Sequence, residues 1–124
     1  MQPVRSFEIC IDVVDPAPVA TFWTAFLGYT TEDERDGGWV HLAPPPGLPV
    51  LNLQRVPETK SVKNRLHFDV YVDDPQDWIA RATDLGATEV RLHDAPDDWF
   101  MVMLDPGGNE FCICLEREPA GGGA

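Results

Sequence analysis

The chain has 124 residues, 44% of them hydrophobic and 24% charged, which is an ordinary composition for a single globular domain. Its 9 basic and 21 acidic residues give a net charge of −12, which disfavours binding to nucleic acids or anionic membranes because both need a basic surface. No apolar run is long enough to span a bilayer, no signal-peptide pattern precedes the first strand, and the 3 cysteines are an odd number. We therefore expect a cytoplasmic protein with reduced thiols.

The first half of the chain predicts a strand, a helix and further strands. Apolar residues alternate over residues 7–13, as in a strand with one buried face. Asp15 and Pro16 then predict a helix start, with the carboxylate as N-cap and the proline in the first turn. Apolar residues follow at helical spacing until Gly28, where the helix should end. Residues 39–42 and 50–54 predict strands around a proline-rich loop, and another strand is expected near residues 30–35.

The second half predicts the same order of elements. Residues 66–72 alternate again, Asp74 and Pro75 predict a second helix start, and Gly86 should end that helix. Strands are expected near residues 89–93 and over 99–104 and 110–115. The polar residues 57–64 predict a linker, and the glycine-rich residues 119–124 predict a disordered tail. Together these patterns predict one domain over residues 1–118, with modules at residues 5–56 and 65–116.

The two halves form an internal repeat, because matching residues recur about 59 positions apart. Glu8 corresponds to His67, and Trp39 is matched with Trp99. Two copies of one supersecondary unit must pair to bury a shared core. The repeat therefore predicts that Glu8 and His67 converge on one cavity.

Each predicted strand has an apolar and a polar face, because side chains alternate across a strand. The apolar face, which begins with Phe7 in the first module and Leu66 in the second, should pack under the helices. The polar face collects side chains with ligand or acid–base chemistry: Glu8, Cys10, Asp12, Asn52, Gln54, His67, Asp69, Tyr71, Glu110, Cys112 and Cys114. Cysteine, histidine and tyrosine favour a cavity there, and a solvated outer face is the alternative.

Three motifs carry a resemblance to a known family. They are the Asp-Pro helix starts ending in Leu-Gly, the His-Phe-Asp sequence at residues 67–69, and the Asp-Pro-Gly-Gly-Asn turn at residues 105–109. Together they resemble the vicinal oxygen chelate superfamily, which includes glyoxalase I, extradiol dioxygenases and bleomycin-resistance proteins. The resemblance implies an α+β fold in which two paired βαβββ modules form a curved eight-stranded half-barrel with helices on the outer face.

The resemblance also implies a metal position. In metal-using members four ligands come from the first and last strands of each module, which places them here at Glu8, Asn52, His67 and Cys112. Histidine or glutamate is typical at all four positions, so Asn52 and Cys112 depart from the pattern. We expect either no metal or a zinc ion on Glu8, His67 and Cys112, because a thiolate suits zinc and an amide oxygen is a weak donor. Glu110 is an alternative oxygen donor, and Cys112 packed as a small apolar residue is the metal-free alternative.

Two functions follow from the resemblance. The first is a glyoxalase-like protein that binds a small organic molecule in the cleft between the modules, as a lyase or isomerase in which Glu8 or His67 abstracts a proton next to a carbonyl. The second is a metal-free binding protein that sequesters a drug or metabolite, as bleomycin-resistance proteins do. A homodimer is expected in both cases. His41 and His93 should lie at the surface or rim, and the expected ligand contacts are Cys10, Asp12, Trp39, Asn52, Asp69, Tyr71, Trp99 and Glu110.

Overall fold

The computed structural model describes residues 2–35 and 38–116, without the side chains of residues 33–35. The predicted tail at residues 119–124 lies outside the described residues. The chain divides into two compact units, residues 1–61 and 62–124, and each unit is a βαβββ arrangement around its own four-stranded sheet. The boundary falls inside the predicted linker at residues 57–64. The predicted α+β class with two βαβββ modules is confirmed.

The first unit contains one helix and four strands. Its elements are β1 (Glu8–Val13), α1 (Pro16–Leu27), β2 (Thr30–Arg35), β3 (Trp39–Ala43) and β4 (Val50–Arg55). The sheet order is β1-β4-β3-β2, with β1 and β4 parallel and the other pairs antiparallel. The register of β2 against β3 shifts between Thr31 and Asp33.

The second unit has the same topology. Its elements are β5 (Phe68–Val72), α2 (Pro75–Asp84), β6 (Thr88–Ala95), β7 (Asp98–Leu104) and β8 (Glu110–Leu115). The sheet order is β5-β8-β7-β6, with β5 and β8 parallel. The register of β6 against β7 shifts between Glu89 and Arg91, at the position that corresponds to the shift in β2.

The predicted helix start is confirmed in α1. The Asp15 carboxylate accepts a hydrogen bond from the Ala17 N–H across 3.4 Å, and Pro16 is the first helical residue. Gly28 ends the helix at a φ of 83°, in the left-handed region where glycine is favoured, and its N–H donates to the Thr24 carbonyl. One face of α1 is buried through Val19, Phe22, Trp23 and Phe26, which covers the sheet.

Three details differ from the sequence-based predictions. Asp74 makes no side-chain capping bond to α2. Phe7 and Leu66 are 80% and 65% exposed rather than packed under a helix, because each precedes the first paired residue of its strand. The predicted equivalence of Trp39 and Trp99 is also wrong. Trp39 pairs with Gln54 in the first unit, and the corresponding pair in the second unit is Phe100 with Cys114. Phe100, and not Trp99, is therefore the equivalent of Trp39.

Both faces of the inner strands β4 and β8 are buried at the centres of these strands. On β4, Asn52 is buried between Leu51 and Leu53, and on β8 Cys112 is buried between Phe111 and Ile113. The polar side chains at the centres of β4 and β8 are therefore shielded from solvent. The neighbouring strands β1 and β5 carry exposed polar residues. Among the described residues no helix is long and apolar enough to cross a membrane.

Candidate functional sites

A chain of hydrogen bonds runs across the polar face of the first unit. Asn52 Nδ2 donates to Glu8 Oε1 across 2.7 Å, and His41 Nδ1 lies 2.8 Å from Asn52 Oδ1, where its N–H donates to the amide oxygen. These contacts follow from the sheet register, because β4 lies between β1 and β3 and His41 is the direct neighbour of Asn52. Both ends of the buried amide are therefore satisfied within the protein.

His41 is a residue that the sequence analysis assigned to the surface or rim. Its second ring nitrogen, Nε2, lies 3.7 Å from Glu32 Oε1, so the ring connects the buried amide to a carboxylate on β2. The sequence offered one indication of this contact, which is that His41 and Asn52 lie on consecutive predicted strands. The register of the β3–β4 hairpin is needed to show that they are direct neighbours. In the first unit, four side chains are therefore connected in the order Glu8, Asn52, His41 and Glu32.

The other predicted site residues of the first unit lie beside this chain. Cys10 is exposed, and its thiol lies 3.8 Å from Gln54 Oε1. Partial burial, and then the negative charge of Asp12, raises the pKa of the Cys10 thiol. Asp12 is exposed and Trp39 is half-buried. Partial burial of Cys10 and the charge of Asp12 both oppose the lowered pKa that activates a nucleophilic thiol.

The second unit contains a cavity of about 590 Å³. It brings together six of the predicted site residues, all on or next to the strands of that unit: His67, Asp69, Tyr71, Trp99, Glu110 and Cys112. The remaining charged and aromatic lining residues are not among the predicted site residues: Lys63, Arg91, Asp97, Asp98, Phe100 and Glu116.

His67, Asp69 and Cys112 form a compact cluster in the wall of this cavity. Asp69 and Cys112 are direct register partners on the parallel strands β5 and β8, and His67 precedes Asp69 by two residues. His67 Nδ1 lies 3.0 Å from Asp69 Oδ1. One donor atom from each of the three side chains lies within 4.8 Å of the other two.

The environment of Cys112 keeps its thiol protonated. Burial, then the charge of Asp69 and a hydrogen bond to its carboxylate, raise the pKa of Cys112 from 9.0 to about 11. Val102 and Cys114 pack beside it, with Phe100 against the group. Burial raises the pKa of Cys114 further, to about 12. Neither thiol is a nucleophile near neutral pH, because the thiolate is the reactive form.

The remaining lining residues have defined positions. The Glu110 carboxylate accepts a hydrogen bond from the Asn64 N–H across 2.9 Å, which fixes the segment before β5 against the start of β8. Tyr71 is 59% exposed, and the nearby Cys114 and acidic groups raise the pKa of its hydroxyl. The Phe100 ring stacks on His93 with 4.7 Å between ring centroids, and His93 does not line the cavity.

A family model described as a glyoxalase-like domain matches residues 8–114. The chain belongs to this family. No curated protein matches the chain in sequence.

Solved structures share the fold of this glyoxalase-like protein at low sequence identity. The fosfomycin resistance protein FosX from Listeria monocytogenes, in a mutant form complexed with Mn(II) and 1S,2S-dihydroxypropylphosphonic acid, has a TM-score of 0.73 at 10% identity, covering 92% of this chain and 90% of that chain. A bleomycin-binding protein from Streptomyces verticillus, complexed with copper(II)-bleomycin, has a TM-score of 0.61 at 17% identity, covering 94% and 100%. The antibiotic-binding protein TnmS3 from Streptomyces sp. CB03234 has a TM-score of 0.68 at 18% identity, covering 94% and 100%.

Two of the four donor positions that the family resemblance implies, Asn52 and Cys112, do not suit a hard ion such as Mn(II), which prefers carboxylate, carbonyl and water oxygens. The Asn52 amide oxygen already accepts a hydrogen bond from His41, and Cys112 presents a sulfur. In the second unit His67, Asp69 and Cys112 form a possible metal-binding triad of one nitrogen, one oxygen and one sulfur donor. Such a mixed set suits a softer ion.

Proposed function

We propose that the chain binds a small organic molecule in the cavity of the second unit and holds it without covalent chemistry. The cavity itself supports this proposal, because about 590 Å³ is within the usual range for small-molecule sites. Tyr71, Trp99 and Phe100 contribute aromatic surface to its lining. Aromatic walls with a few polar groups are typical of sites for flat organic ligands.

The charges around the cavity indicate the class of ligand. Its lining contains more carboxylates than cationic groups, with Asp69, Asp97, Asp98, Glu110 and Glu116 against Lys63 and Arg91. An excess of negative charge in a concave site favours a positively charged ligand, and aromatic faces add cation–π attraction. The ligand class is therefore a planar aromatic molecule with a positive charge.

The family supports binding of this kind. Two proteins with the same fold are described as binding copper(II)-bleomycin and an antibiotic. The hydrogen-bonded amide of Asn52 and the sulfur of Cys112 are poor donors for a hard ion such as the Mn(II) in the FosX complex, which favours non-covalent binding. This corresponds to the sequestering protein that the sequence analysis gave as its second function.

Fluorescence titration with two dyes tests the proposal. The planar cation acridine orange should bind the full chain more tightly than the anion 1-anilinonaphthalene-8-sulfonate. Trp99→Leu should weaken acridine orange binding by roughly 3- to 10-fold, the value of one aromatic stacking contact. Trp78→Leu is the matched control, because Trp78 lies on α2 and does not line the cavity. Equal binding of both dyes, or an unchanged affinity in Trp99→Leu, would refute the proposal.

A lyase or isomerase is the second candidate, and one observation favours it. Asp69 Oδ1 lies 3.0 Å from His67 Nδ1, and both residues line the cavity, so the carboxylate can orient the imidazole as a general base. Hydroxyacetone in D2O is a direct probe, because proton abstraction next to its carbonyl exchanges hydrogen for deuterium. NMR should show exchange that His67→Gln abolishes if His67 is a base, and the same measurement on Glu8→Gln tests the other predicted base.

The homodimer and the cytoplasmic location remain predictions. The three thiols are free, which supports a reducing compartment. Light scattering at micromolar concentration measures the oligomeric state, and a mass of only 13.8 kDa would contradict the dimer.

A further inference from the structure

His67, Asp69 and Cys112 are residue types that commonly bind metal ions, and all three belong to the second unit. One atom from each side chain can be chosen so that all three lie within 4.8 Å of one another. The sequence predicts Glu8, His67 and Cys112 as the metal ligands, and Asp69 as a residue that contacts the organic ligand or orients His67. In the structure, Asp69 is the register partner of Cys112 and the contact partner of His67.

We propose that His67, Asp69 and Cys112 form a zinc site in the wall of the second unit's cavity, with Asp69 as the third ligand. The site lies in the wall of the cavity proposed above for the organic ligand, but it is tested with the metal alone, so the failure of one proposal can be distinguished from the failure of the other. Zinc accepts imidazole nitrogen, carboxylate oxygen and thiolate sulfur together. Three protein ligands leave a fourth position open toward the cavity, to be taken by water or by a ligand.

The present spacing needs only a small adjustment to surround an ion. Donor atoms that lie about 2.0–2.3 Å from a tetrahedral zinc ion are roughly 3–4 Å apart. The side chains of His67 and Asp69 are 38% and 41% exposed, so they can move without disturbing the core. Cys112 is buried on the inner strand β8 and provides the fixed point of the site.

The donor set selects zinc over manganese. Binding breaks the S–H bond of Cys112, forms a metal–sulfur bond and releases the thiol proton to the buffer, so the gain depends on how strongly the ion binds thiolate. Thiolate binds zinc strongly and Mn(II) weakly. Asp98 and Glu110 also line the cavity and favour a cation, while Lys63 and Arg91 oppose it.

Cys114 is a matched control for Cys112. Both residues lie on β8, both thiols are buried, and both line the same cavity, yet only Cys112 belongs to the cluster with His67 and Asp69. Co(II) reports the ligand directly, because a thiolate bound to this ion gives a charge-transfer absorption band. The full chain is therefore titrated with Co(II) alone, then with Zn(II) or Mn(II) as competitor.

We expect one Co(II) per chain, a thiolate band that Zn(II) removes and Mn(II) leaves in place, and release of one proton per bound ion. Cys112→Ser should remove the band, and Cys114→Ser should retain it. His67→Gln and Asp69→Asn should each weaken Co(II) binding by at least 10-fold, and these exposed positions keep the test valid if Cys112→Ser does not fold. Absence of binding by the wild type, a band that survives in Cys112→Ser, or undiminished affinity in Asp69→Asn would overturn the proposal.

Discussion

Asp69 lies opposite Cys112 in the register of the parallel strands β5 and β8, and a donor oxygen of its carboxylate lies within 4.8 Å of the Cys112 sulfur. Because the carboxylate is charged, it stabilises the protonated thiol and opposes formation of a second negative charge beside it. The same carboxylate contacts His67. Asp69 is therefore the shared partner of the two other members of the cluster.

This contact has a consequence for stability against pH. The pKa of Cys112 rises from 9.0 to about 11 on folding, so the folded state holds the proton more tightly. The resulting stabilisation is complete below pH 9.0 and is lost as the pH rises toward about 11. We expect the free energy of unfolding in urea to fall over this interval.

The contribution of Cys112 to this pH dependence is measured by comparing the unfolding free energies of the wild type and Cys112→Ala. Cys112→Ala should show a smaller decrease in unfolding free energy between pH 9 and pH 11 than the wild type, because it lacks the shifted group. Cys10→Ala is the comparison and should change the pH dependence less, because Cys10 is exposed and only partial burial and Asp12 raise its pKa. An identical pH dependence in Cys112→Ala and the wild type would contradict the assignment.

The buried amide of Asn52 should be important for the stability of the first unit. Asn52→Ala leaves Glu8 and His41 without their partner and removes a buried side chain, which should cost about 1–3 kcal/mol in unfolding free energy. Gln54→Ala is the control on the same strand, and because Gln54 is exposed its effect should stay within about 0.5 kcal/mol. Urea denaturation measures both, and equal effects would show that the hydrogen-bond chain contributes little.

The three thiols should react in a defined order. Cys10 is exposed, whereas Cys112 and Cys114 are buried with pKa values raised to about 11 and about 12. Iodoacetamide at neutral pH should therefore modify Cys10 first, and the other two should react only after denaturation. Peptide mass spectrometry identifies the modified residues, and early labelling of Cys112 would disagree with its position in the structure.

Two glycines with similar backbone angles should differ in their tolerance of alanine. Gly38 and Gly47 have φ values of 81° and 88°, so each alanine substitution meets a left-handed backbone that costs about 1–2 kcal/mol. A Cβ at Gly38 would lie 2.5 Å from Arg55 Cβ, whereas a Cβ at Gly47 would meet nothing within 4 Å. Gly38→Ala should lower the melting temperature more than Gly47→Ala, and the reverse order would argue against the hairpin geometry.

Local signals in the sequence sufficed for the helices and for most strands. Asp15, Pro16 and Gly28 act within a few residues of each other, so the limits of α1 follow from the sequence alone. The contact between Asn52 and His41 could not be predicted in this way, because it depends on the register of the hairpin that pairs β3 with β4. Trp39 was matched to Trp99 because a constant repeat was assumed.

Hairpin length explains the error with the tryptophans. Leu42 pairs with Leu51 in the first unit, and Met103 pairs with Phe111 in the second, so the second hairpin is one residue shorter. A difference of one residue changes which side chains are equivalent, and composition does not reveal it. Asp69 was not predicted as a metal ligand beside His67 and Cys112 for a related reason, since it is the pairing of β5 with β8 that brings Asp69 to Cys112.

The register shifts in β2 and β6 bear on how the protein behaves when concentrated. Each strand is the last in its own sheet, and a straight terminal strand is a template on which other chains can aggregate. The residues left out of the ladder are Glu32 in β2 and Val90 in β6, and such an extra residue bends the strand. Deletion of Glu32 or Val90 should straighten the edge strand β2 or β6. We expect fibril formation to compete with folding in such a variant, because a straight edge strand can pair with another chain.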